Sequence, residues 1–369
     1  MKDFVVKSLI SSDIESELEK IGFDIAYRTK AADKYSYKTF KIFDLTIPQA
    51  NILKQTALSF GADCGVHRDV LVNKIEKTDV ILGGSFSQIK KICEKLKQQP
   101  FSLKILAEDI ELQLMPQKRD TKIVGILNLT PDSFSNDGIL DSKQAVTQLY
   151  QLIEDGADMV DIGAESTRPG AITISSEEQI KRLKLVSGEF SKLDIPISVD
   201  TRNAQVAEFV LDKGANYIND VSGMEYDSNM SDVIFKYNAG VIIQHSTGAA
   251  DNIVSYTDAV EDVYKYLLEK TKYAKLKGIK KIILDVGIGF GKNKQDNLLL
   301  LDRIEEFYSL GLPIMTGVSR KSFLGVDGNN NDLKDSLTLA MNAVQIKKNV
   351  DYLRVHNVKL HKQLLNLVK

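Results

Sequence analysis

From about residue 121 the chain alternates short apolar, β-branched runs with longer stretches whose apolar residues recur at helical spacing. That alternation is the pattern of repeated βα units around a parallel sheet. Eight strand candidates can be read: IVGILN (123–128), MVDIGA (159–164), ISVD (197–200), YIND (217–220), VIIQH (241–245), KIILDVG (281–287), IMTGVS (314–319) and YLRVH (352–356). Between them, segments such as DSKQAVTQLYQLIEDGA and TDAVEDVYKYLLEKTKYAKLKG predict amphipathic helices, several closed by glycine just before the next strand. A doubly wound open sheet would share the alternation. However, polar and charged residues gather at the C-terminal ends of nearly all eight candidates, which suits the mouth of a barrel. The expected fold class is therefore α/β, a (β/α)8 TIM barrel over 119–369 with an additional small N-terminal α/β or α+β domain over 1–118.

The first 118 residues carry strand-like VVKSLI, FKIFDLT and DVILGG separated by helical QANILKQTALSF and FSQIKKICEKLKQQ, and end in a polar MPQKRD connector. We find neither an internal repeat nor a low-complexity segment in either part. No acid–base or metal constellation is visible in this region, so an interaction or dimerisation role is preferred for it over a second catalytic one.

Composition narrows the function class. Lysine and arginine total 48 against 50 aspartates and glutamates, interspersed without a basic block, so no nucleic-acid footprint exists and small-molecule chemistry is expected. The first twenty residues lack the apolar core of a signal peptide and no stretch has the length of a spanning helix, which predicts a cytoplasmic protein that does not engage a membrane. Cys64 and Cys93 are far apart and outside any CxxC, so neither a disulfide framework nor a cysteine metal site is indicated. The four histidines show no zinc spacing, and no Gly-x-Ser-x-Gly elbow occurs. The glycines of GIGFGK, 287–292, match neither nucleotide-loop spacing and are discounted as such.

Chemistry concentrates at the strand ends. In GILNLTPDSFS, 125–135, a buried strand stops at Asn128, whose carboxamide oxygen can serve a Mg2+ ion or a ligand, ahead of a loop containing Asp132 and Ser133 that could close over substrate. In DIGAESTRPG, 161–170, Arg168 offers an anion contact. ISVDT, IND, LDVGIGFGK and SRKS supply Asp200, Asn219, Asp285 and Lys321, a set able to hold a flat heterocycle that both donates and accepts hydrogen bonds. A structural ion pair is a serious alternative for any one of these and a poor one for all four. The alternation of LRVH puts Arg354 and His356 on one side of the last strand, and a guanidinium beside an imidazole suits a phosphate.

Taken in order, these runs resemble the signatures of the dihydropteroate synthases across the whole of 121–369. The resemblance implies a 6-hydroxymethyl-7,8-dihydropterin pyrophosphate substrate, 4-aminobenzoate as nucleophile, Mg2+, frequent homodimerisation and competition by sulfonamides. By position it implies pterin-binding roles for Asp200, Asn219, Asp285 and Lys321, and pyrophosphate and metal-linked roles for Asn128, Arg354 and His356. Thr167, Arg168, Pro169, Phe290 and Ser322 correspond to the surroundings of the aminobenzoate, and Asp200, Lys321, Arg354 and His356 form the implied catalytic set. The chain departs from the pattern at Asn136-Asp137-Gly138, at Val286 where proline is usual, and at Gln244-His245-Ser246 in place of a common Met-His-Met. A pterin-dependent methyltransferase and a degenerate pterin-binding barrel are the rival readings. The first family lacks TPDSFS and SRKS, and the second would be marked by missing catalytic groups, of which none is missing here.

Overall fold

The computed structural model describes residues 4–9, 14–115, 117–130, 141–165, 173–247, 253–326, 328 and 330–368. Its backbone contacts divide into two compact units, 1–117 and 118–369.

In the first unit, strands β1 (Tyr37–Thr46), β2 (Asp63–Val66) and β3 (Lys77–Ser85) form an antiparallel sheet in the order β1-β3-β2. Helices Ile47–Ser59, Phe86–Leu96 and Leu103–Leu114 bury Leu53, Leu82, Ile89, Ile92, Leu96 and Leu103 in one core. Two strand-to-helix turns use the same device. Gln49 Oε1 accepts from the Thr46 amide at 2.8 Å and Gln88 Oε1 from the Ser85 amide at 2.8 Å, so each helix starts where its first unpaired amides find a side chain. The expected strand at VVKSLI is a miss: residues 4–9 form none, and Val5 and Val6 are 98% and 92% exposed, because no neighbouring strand takes their backbone groups. Conversely, Asp63–Val66 pairs with β3 although its aspartate and glycine give little strand signal.

The second unit is a closed parallel barrel of eight strands in the order β10-β11-β4-β5-β6-β7-β8-β9. The strands are β4 (Lys122–Asn128), β5 (Met159–Gly163), β6 (Ile197–Asp200), β7 (Tyr217–Asp220), β8 (Gly240–Gln244), β9 (Lys281–Asp285), β10 (Ile314–Thr316) and β11 (Tyr352–Val355). Helices on the outside cover the strands, and several begin at side chains that cap them, Asn203 and Asp258 each accepting from two backbone amides. Among the described residues no helix is long and apolar enough to cross a membrane.

The barrel interior is layered. Val124, Met159, Ile242, Ile283 and Met315 form a buried apolar plug, with Tyr217 and Tyr352 packed against it. Side chains alternate along a strand, so two residues further on the same inward face carries Asp161, Asn219, Gln244, Asp285 and Arg354. The strands that are apolar at one end thus become polar at the other.

Candidate active site

The barrel register sets the first row of the site. Asn128 pairs with Gly163, Gly163 with Asp200, and Asp200 with Asn219, so the ends of four adjacent strands stand at one level. Glycine in the middle of that row keeps it open. A Cβ at position 163 would stand 3.3 Å from Asn128 Oδ1 and 3.9 Å from the Asp200 Cβ.

Beneath this row lies a buried ionic knot. Asp161, with no exposed surface, accepts through Oδ2 from Arg354 Nε at 2.6 Å and from Asn219 Nδ2 at 3.0 Å. Arg354 Nη2 lies 3.7 Å from Asp200 Oδ2, an ion-pair distance but too long for a good hydrogen bond. Burial, then the charge of Asp161, pushes the Asp200 carboxyl up to about 7, against the pull of Arg354.

Asp285 and Lys321 flank the opposite wall. Asp285 accepts from the Gly287 amide at 2.8 Å, and burial raises its carboxyl with Lys321 opposing. Lys321 Nζ donates to the Ile288 carbonyl and lies 4.3 Å from the centre of the Phe290 ring, while burial pulls the ammonium down to about 8. Gly289 has φ +79, and a Cβ there would come within 2.8 Å of Lys321 Cδ, so this glycine is what lets the lysine pass. His356 meets Ser319 twice, through Nδ1 at 2.9 Å and through its backbone amide at 3.2 Å, which fixes the imidazole beside the end of β11. Arg320 turns away from Lys321, at φ +58, into a paired contact with Asp335 at 2.7 and 2.8 Å. Ser322 is exposed and Phe290 half-buried at the same end. Thr167, Arg168 and Pro169, like Asp132 and Ser133, lie outside the described residues.

Sequence reasoning missed two groups. Asp161 was passed over because it stands inside a strand, although its spacing of two from Gly163 puts it on the same face. Lys292, almost fully buried, was also missed: Nζ lies 2.9 Å from His245 Nδ1 and donates to the carbonyls of Gly287 at 2.9 Å and Phe290 at 3.1 Å. Burial draws this lysine down to about 7, and burial followed by the lysine draws His245 down to about 3. The pair ties the loop after β9 to the end of β8. Three buried polar atoms of the interior, Asp161 Oδ1, Asn219 Oδ1 and Gln244 Nε2, have no hydrogen-bond partner among the described residues. Each costs on the order of 1–3 kcal/mol if left so. A ligand with matching polar edges would relieve that cost.

The sequence profile described as pterin binding enzyme matches residues 124–356. A bifunctional dihydropteroate synthase/dihydropteroate reductase of Helicobacter pylori is 31% identical, over 99% of this chain and 98% of that one. The chain spans 40% of the length of the probable bifunctional folylpolyglutamate synthase/dihydropteroate synthase of Halobacterium salinarum, at 36% identity over 84% of this chain. Among solved structures, the dihydropteroate synthase of Xanthomonas albilineans with 4-aminobenzoic acid is 32% identical with a TM-score of 0.63, covering 67% of this chain and 91% of that one. The Yersinia pestis dihydropteroate synthase in complex with a sulfonamide drug is 31% identical with a TM-score of 0.63, covering 68% and 93%.

Proposed function

The chain belongs to the pterin-binding enzymes, in the dihydropteroate synthase family, and we propose that its barrel joins 6-hydroxymethyl-7,8-dihydropterin pyrophosphate to 4-aminobenzoate, releasing pyrophosphate. The observation that carries this is the convergence of Asp200, Asn219, Asp285 and Lys321 on one barrel end, with the buried Oδ1 of Asn219 left without a partner among the described residues.

In this reading the pterin lies flat across the mouth. Its amidine-like edge donates to Asp285, Lys321 and Asn219 meet its remaining polar atoms, and Asp200 faces the ring that gains positive charge as the bond breaks. The bond from the pterin methylene carbon to the pyrophosphate oxygen breaks, the oxygen keeping the electron pair, and the amine nitrogen of 4-aminobenzoate then forms a bond to the cationic carbon. The nitrogen then loses a proton to solvent. Arg354 and His356 stabilise the departing pyrophosphate. The aminobenzoate is held near Phe290 and Ser322, with Thr167, Arg168 and Pro169 contributing from their loop. Ordering of the first two loops after pyrophosphate is seated would exclude water from the cation. Equal binding of 4-aminobenzoate with and without pyrophosphate would count against that order.

Among the described residues no cluster of three carboxylate, histidine or cysteine groups could cage a metal. Asn128, half-buried at the end of β4, offers a carboxamide oxygen. That donor set suits Mg2+, which is commonly held by few protein oxygens together with substrate phosphates. Bound there, the ion would neutralise charge on the leaving group. Sulfonamides would compete with 4-aminobenzoate, and the working unit would be a cytoplasmic homodimer.

Incubating the protein with the dihydropterin pyrophosphate, 4-aminobenzoate and Mg2+ tests the reading, with dihydropteroate and pyrophosphate both followed. Equal amounts of the two, lost in Lys321→Ala and Asp200→Asn, are expected. Tight pterin binding without product would favour a pterin-dependent methyltransferase or a degenerate barrel instead.

The near end-to-end match to the Helicobacter bifunctional protein favours a second reading, in which the chain also reduces dihydropteroate. That step adds a hydride and a proton to the pterin ring and needs an external hydride donor. Its test is loss of dihydropteroate on adding a reduced nicotinamide or flavin donor, compared between the whole chain and one lacking residues 1–117.

A further inference from the structure

Arg354 has two carboxylates within reach and satisfies one of them. Its Nε is spent on Asp161 at 2.6 Å, and Asp200 receives only the longer 3.7 Å approach of Nη2. The same Asp161 oxygen holds Asn219 at 3.0 Å. One buried carboxylate therefore fixes two groups that the proposed reaction uses and limits the hold of the guanidinium on a third. Asp161 itself sits below the row of Asn128, Gly163 and Asp200, paired in register with Ile126 and Ser198 one step into the barrel.

We propose that Asp161 is the positioning residue of this site: by engaging Arg354 and Asn219 it keeps the loose 3.7 Å ion pair of Asp200 with Arg354 from closing into a hydrogen-bonded one and leaves the Asp200 carboxyl available to the ligand. The inference rests on the functional reading above only in what the ligand is. The physical argument is competition. A guanidinium presents a fork of donors that fits a carboxylate two bonds at a time. With Asp161 neutral, Asp200 becomes the only carboxylate among the described residues in ion-pair contact with that fork. A paired Asp200 would be ionised more easily and would offer fewer lone pairs to a substrate. The other charged groups that act on Asp200 are Asp220 and Glu165, while Asp200 in turn acts on Lys321.

The test is Asp161→Asn, which keeps the volume of a fully buried side chain, removes its charge and leaves one oxygen to accept. Aspartate carboxyls labelled with 13C are titrated by NMR in the ligand-free wild type and in the variant, with Asp200→Asn used to assign the Asp200 signal. A fall of one pH unit or more in the Asp200 midpoint is expected, together with a loss of at least tenfold in synthase kcat/KM for the pterin and a matching move of the acid limb of its pH profile to lower pH. An unmoved Asp200 midpoint would overturn the inference, even if activity fell; because loss of the Asp161 charge alone also lowers that midpoint, Asp161→Glu, which keeps the charge and changes its reach, separates the two causes. An Asp161→Glu variant that restores both readouts would also overturn it, because the argument requires the carboxylate at the reach of the shorter side chain. If the wild type makes no dihydropteroate, the functional reading fails while the carboxyl titration still decides the role of Asp161.

Discussion

The two ends of the barrel interior are built from the same strands and obey opposite rules. At the N-terminal end Val124, Met159, Ile242, Ile283 and Met315 fill space with apolar atoms, and nothing there calls for a partner. Two residues along each strand, Asp161, Asn219, Gln244 and Asp285 are as deeply buried but carry polar atoms, and three of these residues each have one without a partner among the described residues. Burying polarity without pairing is unfavourable for folding. The difference teaches that stability was concentrated in one layer and ligand recognition in the next, with the strand pleat as the divider.

The largest expected effect comes from emptying the polar layer of its cation. Lys321→Ala is predicted to lower synthase kcat/KM by roughly 10³-fold or more, as loss of a preorganised charge commonly does. The melting temperature should change little, because Lys321 forms no ion pair with another described residue. A large drop in melting temperature would erase the distinction between the layers.

The mirror experiment is Met315→Ala in the plug. Here a loss of about 2–5 kcal/mol of stability is expected, read by urea denaturation, with kcat/KM changed by less than a few-fold. A specific collapse of turnover in a protein of normal stability would show that the plug also shapes the site.

Next comes pH. Asp200 sits near 7, raised by burial, and Lys321 near 8, lowered by burial. If the carboxylate and the ammonium are the working forms, kcat/KM should fall as pH drops through about 7, when Asp200 takes up a proton, and again as pH rises through about 8, when Lys321 loses one. Measuring the profile with free enzyme in excess checks both limbs. A flat profile from pH 6 to 9 would contradict the assignment of either group.

The smallest effect is expected at Gln244, where the family pattern has methionine. Gln244→Met removes a buried amide nitrogen that has no partner among the described residues, so stability should rise by about 1 kcal/mol. Affinity for 6-hydroxymethylpterin, measured by calorimetry, should fall several-fold if that amide meets the ligand, and unchanged affinity would assign Gln244 to the wall alone.

Much of this was readable in the chain. Eight apolar runs at βα spacing predict the barrel, and all eight begin within one residue of an observed strand start; the shortfall is at their C-terminal ends, where KIILDVG stops at Asp285 and IMTGVS at Thr316. The ends differ because the backbone leaves the ladder where polar side chains take over, as at the Asp285 contact to Gly287. VVKSLI reads as a strand and forms none, since propensity cannot supply a pairing partner.

By itself, then, the sequence determined the period of the elements, the inward faces of the strands and the residue types that end them, because those follow from local pattern. Only the tertiary structure decided that Arg354 would meet Asp161 across 193 positions of chain, and that Lys292 would be tied to His245 across 47. The first contact arises from closing the sheet on itself, where β11 returns to β4 and brings the last strand beside the first, and the second from the parallel pairing of β8 with β9. Charges far apart in sequence then share one buried space, where low dielectric makes their pairing and their spacing decisive.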